Sequence, residues 1–432
     1  MTVGKATLWT ILGAYLILPP VVAVDFPLIP PLDKSTIPNI SALIGCWFIK
    51  GKRIQFLPKS KVARWLIIIF ILSPFITVLL NPDPIIAGST FLKGMEYYDA
   101  LSAVIRQILF MLPFAFGFTF FRTERDLENI LKVCVISGLI YSLPMLLEIR
   151  LSPQLNRWVY GFHPGDFIQN VRQGGFRPVV FIGHGLAVAY FIMTALVSAV
   201  TLHRIRLNVL QMSARNVVMF LGVMLILCKS VGSVIYAAII LSAIYFAKPT
   251  RQVKVACFLV MLAVSYPILR VAELVPIYEM VEVAESISED RAQSLNFRFR
   301  NEEMLLSKAM QRSFFGWGSW GRNRVYDHRG KDISVTDGRW VITLGIFGLF
   351  GYIAEFGLLA LPVFRCARVM RKIDSRRGRI VLSALVLLLA INMVDLLPNS
   401  TITPFSWLLA GTLLGYSEAV KKKFSKKSNE IF

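Results

Sequence analysis

The stretch from Arg270 to Trp340 is mostly polar and lies inside an otherwise apolar chain. It carries eleven Lys and Arg residues: Arg270, Arg291, Arg298, Arg300, Lys308, Arg312, Arg322, Arg324, Arg329, Lys331 and Arg339. It closes on Thr336-Asp337-Gly338-Arg339-Trp340, against the next apolar run. Guanidinium groups grip phosphate oxygens bidentately and keep their charge near lipid. A diphosphate needs several such donors converging from separate segments. Candidates are Arg298 and Arg300, Arg339, and the pair in Arg172-Gln-Gly-Gly-Phe-Arg177-Pro178. Lys229, in the turn Lys229-Ser230-Val231-Gly232, adds a point charge. Taken singly, each of these cations reads as a solvated loop charge or a snorkelling anchor; taken together they read as an anion site. Asp337 is the candidate acid or base. An ionised carboxylate beside Arg339 can accept a proton from an attacking hydroxyl, and the same residue can equally serve as a helix N-cap.

The elements that must position these groups are membrane helices. Of 432 residues, 55% are hydrophobic, and the mean hydropathy is +0.61. Soluble globules do not carry that much apolar surface. Apolar runs long enough for about 30 Å of hydrocarbon fall at 7–24, 35–49, 65–80, 100–121, 130–149, 178–200, 216–229, 231–247, 255–269, 341–364, 380–397 and 402–418. The expected fold is thus all-α: one polytopic membrane domain over 1–432 with about twelve transmembrane helices. Residues 270–340 form a long loop between the ninth and tenth.

Charge orients this arrangement. With twelve spans both termini share a side, and more than half of the 47 Lys and Arg residues fall on that side. The positive-inside rule makes it cytoplasmic and puts the long loop outside. The net charge of +21 then reports topology and attraction to anionic lipid at the cytoplasmic face. It does not indicate nucleic acid, because the basic residues are scattered over short loops. The first span reads as an uncleaved signal anchor. The five cysteines lie in or beside spans, which points to neither a disulfide nor a Cys metal site.

Inside the long loop, Leu274, Val275, Tyr278 and Val281 recur at helical spacing opposite a glutamate face. An amphipathic interfacial helix is expected over Val271–Glu285. A second helix is expected from Asn301 to Gln311, ended by Ser313-Phe314-Phe315-Gly316-Trp317-Gly318. Phosphate-cradling GxxxxGK[ST] loops, HExxH and D-x-D pairs are absent from the sequence, so neither ATP-driven transport nor a metal or other cofactor is expected. Arg106, Glu355 and Asp395 fall within spans. Such charges face partners or water, as a structural Arg106–acid pair or as a proton or ion path. His184 reads as a helix-packing contact.

These residues together resemble the superfamily of O-antigen ligases and Wzy-type polysaccharide polymerases. The family's periplasmic loop shows an Arg, a short helix, then an aromatic or aliphatic pair and G-x-G. Here Arg298 leads to Phe314-Phe315-Gly316-Trp317-Gly318. The family continues with H-N-x-x-L-x-x-L-x-x-x-G-x-x-G. Here the register is Asp337-Gly338-x-x-Val341-x-x-Leu344-x-x-x-Gly348-x-x-Gly351. Where family members have a mid-chain Ser-Arg-Gly turn, this chain has Lys229-Ser230-Val231-Gly232, with Lys229 standing in for the missing arginine. Asp337 stands where the ligases have their histidine, which leans toward the polymerase branch. The resemblance implies a metal-independent glycosyltransferase that joins undecaprenyl-diphosphate-linked oligosaccharides into O-antigen or exopolysaccharide. Arg177, Arg298 and Arg300, with Arg339, Arg172 and Lys229, would hold the diphosphate, and Asp337 and Arg298 would be catalytic. The Val271–Glu285 helix could serve as a lid. Candidate partners are membrane lipids, a chain-length regulator and a flippase. A ligase delivering glycan to lipid A core or protein, and a transporter of an anionic or lipid-linked substrate, are the alternatives.

Overall fold

The computed structural model describes residues 1–26, 29–172, 174–319, 321–400 and 402–429; at 26, 29, 287, 290, 291 and 426–429 it describes the backbone alone. The side chain of Arg291 therefore lies outside the described residues. The described chain is mostly helical. In order it runs α1 (Val3–Ile17), the hairpin β1 (Val24–Phe26) and β2 (Ile29–Leu32), and α2 (Thr36–Ile44) with a π-helical turn at Gly45–Ile49. Next come α3 (Lys61–Leu79), the hairpin β3 (Ile85–Ala87) and β4 (Thr90–Leu92), α4 (Tyr97–Phe120), α5 (Glu124–Leu151) and α6 (Leu155–Tyr160). The hairpin β5 (Val171–Arg172) and β6 (Gly175–Phe176) precedes α7 (Gly185–Arg204), α8 (Ala214–Leu227), α9 (Val231–Phe246) and α10 (Pro249–Val271). The chain ends with α11 (Ile277–Ile287), α12 (Glu289–Met310), α13 (Arg339–Val369), α14 (Arg376–Asp395) and α15 (Pro404–Asn429).

Seven of these helices are long and apolar enough to cross a membrane: α3, α4, α5, α7, α10, α13 and α14. Four shorter apolar helices are α1, α2 with its π turn, α8 and α9. The twelfth apolar run lies in α15, whose C-terminal half is polar. Tight backbone approach fixes α15 on α4. Gly411 and Gly415, at the small-xxx-small spacing of membrane helix contacts, face the carbonyls of Phe114 and Phe118, and Gly117 faces that of Leu408. The centre of the bundle is α7 and α14, which are buried along nearly their whole length.

Several boundaries differ from the sequence expectation, each for a local reason. Before Pro19-Pro20, which cannot continue it, α1 stops at Ile17. The run from 178 opens with a short 3-10 turn, and α7 begins only at Gly185, capped by the His184 imidazole. The amphipathic loop helix starts at Ile277, after Pro276. The second loop helix spans 22 residues from Glu289, so Arg298 and Arg300 lie within it rather than before it.

Candidate functional site

The run after Asp337 does not form one straight helix. Arg339 donates to both Glu355 oxygens at 2.6 Å, and Thr343 donates to the same carboxylate at 3.2 Å. Sixteen residues of straight helix would separate Arg339 and Glu355 by about 24 Å, beyond the reach of the two side chains. The chain turns back at Gly348, where φ is 64° and ψ is −164°, a conformation open to glycine alone. Backbone from the preceding loop occupies the break. Leu349 and Phe350 donate to the carbonyls of Ser313 and Phe314, and Trp317 and Gly318 donate to those of Gly345 and Ile346. A Cβ at Gly348 would sit 2.3 Å from the Phe314 carbonyl, and one at Gly316 would sit 2.5 Å from that of Ile346. The two glycine-bearing segments noted in the sequence thus fit into each other as paired backbone.

This reversal sets Asp337 and Gly338 against the end of α14. The N-cap of α13 is Gly338, so the carboxylate of Asp337 is not at the capping position. It faces Arg298 instead, with Arg298 Nε 3.9 Å from its Oδ2. Arg298 Nη1 also approaches the Pro398 carbonyl at 3.4 Å. Both side chains are only partly covered, 35% and 39% exposed, and they border a cavity of about 510 Å³. Its wall is mainly apolar and includes Tyr236 of α9, Tyr266 of α10, Met280 of α11, and Phe299 and Glu302 of α12. Burial pushes the Glu302 carboxyl upward, while Arg270 and Tyr266 hold it down; Arg270 Nε donates to it at 2.8 Å and Tyr266 at 3.0 Å.

Arg177 is close enough to Arg298 for their charges to repel, but it does not line the cavity. Its Nη2 donates to the Lys229 carbonyl at 2.9 Å, its stem packs on Gly185, and its Nε is buried with no acceptor. Burial, together with the charges of Arg172 and Arg298, pushes this guanidinium below its usual range. His184, the N-cap of α7, is exposed although protein atoms crowd it. Burial and the charges of Arg177 and Arg298 lower its pKa, with Asp337 opposing. From the sequence, His184 reads as a packing contact. Its Nδ1 caps α7 by accepting from Leu186 at 3.3 Å, and the flanking Gly183 and Gly185 were the available signal. Tyr236, which faces the Asp395 carboxylate, was hidden as one aromatic residue in an apolar run.

The other predicted cations lie elsewhere. Arg339 is taken up by Glu355. Arg300 is exposed, about 200° around α12 from Arg298, and does not line the cavity. The Arg172 side chain is exposed, and its carbonyl accepts from Lys229 Nζ at 2.8 Å. Most remaining loop cations bind protein acceptors. Arg322 is 1% exposed and donates to the carbonyls of Trp317, Lys93 and Asp83. Arg312 reaches the Leu80 carbonyl and the Asn81 side chain, and Lys308 sits 3.6 Å over the Trp317 ring. Arg270 pairs with Glu302 and Glu303, and Arg324 with Asp332.

The three charges within spans are not joined to each other. Glu355 belongs to Arg339, and Asp395 accepts from Asn399 at 2.8 Å. Among the described residues Arg106 makes no ion pair, so the expected Arg106–acid pair is replaced by Arg339–Glu355. Among the described residues no group of three or more His, Cys, Asp or Glu is arranged to hold a metal ion. Comparison with known protein families and with curated proteins finds no match for this chain.

Proposed function

We propose that this chain is a twelve-span, metal-independent glycosyltransferase of the inner membrane. It polymerises undecaprenyl-diphosphate-linked oligosaccharide repeat units at the periplasmic face. The observation that carries the reading is Arg298 beside Asp337 at the edge of an open, largely apolar cavity, while most other loop cations are bound to protein acceptors. The family resemblance of the two segments that bear them supports the same reading.

In this reaction Asp337 takes the proton of the acceptor hydroxyl. The freed oxygen attacks the anomeric carbon of the donor, and the bond from that carbon to the diphosphate breaks. The electron pair leaves with the diphosphate, whose growing charge Arg298 stabilises. The apolar wall suits the first isoprenoid units of the carrier. No nucleotide is needed, because the glycosyl diphosphate is itself the activated donor.

Asp337→Asn is expected to reduce chain growth by about 10²–10⁴-fold, the usual contribution of a general base. Arg298→Ala is expected to cost about 10²–10³-fold, as for other groups that stabilise transition-state charge. Arg298→Lys restores only part of this, since an ammonium lacks the bidentate fork. The assay is polymer laddering in membranes, with matched amounts of inserted protein. Ladders that persist in both Asp337→Asn and Arg298→Ala exclude these roles.

A further inference from the structure

The bundle end opposite the candidate site carries a second cavity, of about 450 Å³. Helices α9, α10 and α14 run between the two. Each lines the candidate site near one end and this cavity near the other, and the 20 residues of α14 put about 30 Å between them. Arg204, at the end of α7, completes the wall.

Four cations line it: Arg204, Lys248, Arg376 and Arg379, with no acidic residue among the lining. Two neighbouring basic clefts around Lys372 differ, since one contains Glu124 and Asp374 and the other Glu418. Arg204 donates to the Ile244 carbonyl. Gln252 serves the same end of α9 through the carbonyls of Ala243 and Ala247. For the side chains of Lys248, Arg376 and Arg379 no carboxylate partner exists among the described residues. The positive ends of α10 and α14, which begin at Pro249 and Arg376, face the same space. Beside the charges the surface turns apolar: Phe246 is 90% exposed and Tyr245 56%.

We propose that this cavity binds the headgroup of an anionic phospholipid. Its phosphate sits among Lys248, Arg376 and Arg379, and an acyl chain runs along Tyr245, Phe246 and Ile380. A free anion would use the cations but leave the aromatic flank without purpose. A zwitterionic lipid would bring its own ammonium into an uncompensated positive field. Basic pockets between membrane helices are suited to such headgroups, each nearby cation contributing about a factor of five in affinity. This site is independent of the transferase reading.

The test uses the full chain in detergent micelles, titrated with phosphatidylglycerol, phosphatidylcholine or inorganic phosphate, with retained ligand read by native mass spectrometry. Phosphatidylglycerol is expected to bind at least about tenfold more tightly than phosphatidylcholine. In the triple variant Lys248→Gln, Arg376→Gln, Arg379→Gln it should lose roughly 100-fold in affinity, while Lys423→Gln in the neighbouring cleft leaves it unchanged. Equal binding of the two lipids to the wild-type protein overturns the proposal without recourse to any variant. So does full retention in the triple variant. Binding of phosphate alone with the same dependence on the three cations would show an anion site in place of a lipid site.

Discussion

Arg339 holds Glu355 through two donors, and Glu355 is fully buried. A buried pair of this kind adds little net stability, but removing one partner leaves an uncompensated charge. Glu355→Gln is therefore expected to cost about 3–5 kcal/mol, read as a lowered unfolding midpoint in detergent. The double change Arg339→Met with Glu355→Leu should recover most of that loss, and a double variant as unstable as the single one would refute the pairing argument. This residue also shows what sequence could and could not convey. That arginines crowd the segment before Trp340 is plain from their number. Which of them already have acceptors is not, because those acceptors are backbone carbonyls at 80–93 and a carboxylate sixteen positions away, delivered only by folding. Arg298 and Asp337 were legible through the segments that bear them. Arg300, expected before the second loop helix, lies within it and on the side away from Arg298.

The glycine pattern around 314–318 and 348–351 could be read as a motif, but its physical content emerges at the scale of elements. It is an interlock, in which loop backbone satisfies the groups that α13 frees by turning back. Gly348→Ala should cost at least about 1–3 kcal/mol from strain alone, and more from its contact with the Phe314 carbonyl. Gly316→Ala disturbs the same junction, so the two changes are expected to be strongly non-additive in a double-mutant cycle. Additive losses would mean that the segments stabilise the fold separately. The early start of α12 was invisible for a different reason. Its first half, Glu289 to Arg300, is mostly charged and polar, without the apolar stripe that marks a packed helix. Its partner, α11, has that stripe, and the helix expected over 271–285 overlaps the observed one over 277–287.

Over the whole molecule, seven of the twelve apolar runs lie on helices long and apolar enough to cross a membrane, and the other five overlap helices that are shorter or half polar. The two cavities sit at opposite ends of shared helices, which makes sidedness measurable. In intact cells an impermeant maleimide should label Lys331→Cys, and Asn208→Cys, in the turn after α7, only after permeabilisation. Labelling of Asn208→Cys from outside would invert the proposed orientation and move the Arg298–Asp337 cavity to the cell interior. One wall of that cavity is unlike the others. Most of its surroundings are bundle helices, and the segment after α12 is fastened by the carbonyl bonds of Arg312 and Arg322. In contrast α11, eleven residues long, packs chiefly on α12, has no buried residue among those described and contributes Met280 to the lining. On the proposed reading, a bulky, chain-bearing donor would come and go by displacing a single short rod, with Arg298 and Asp337 keeping their places.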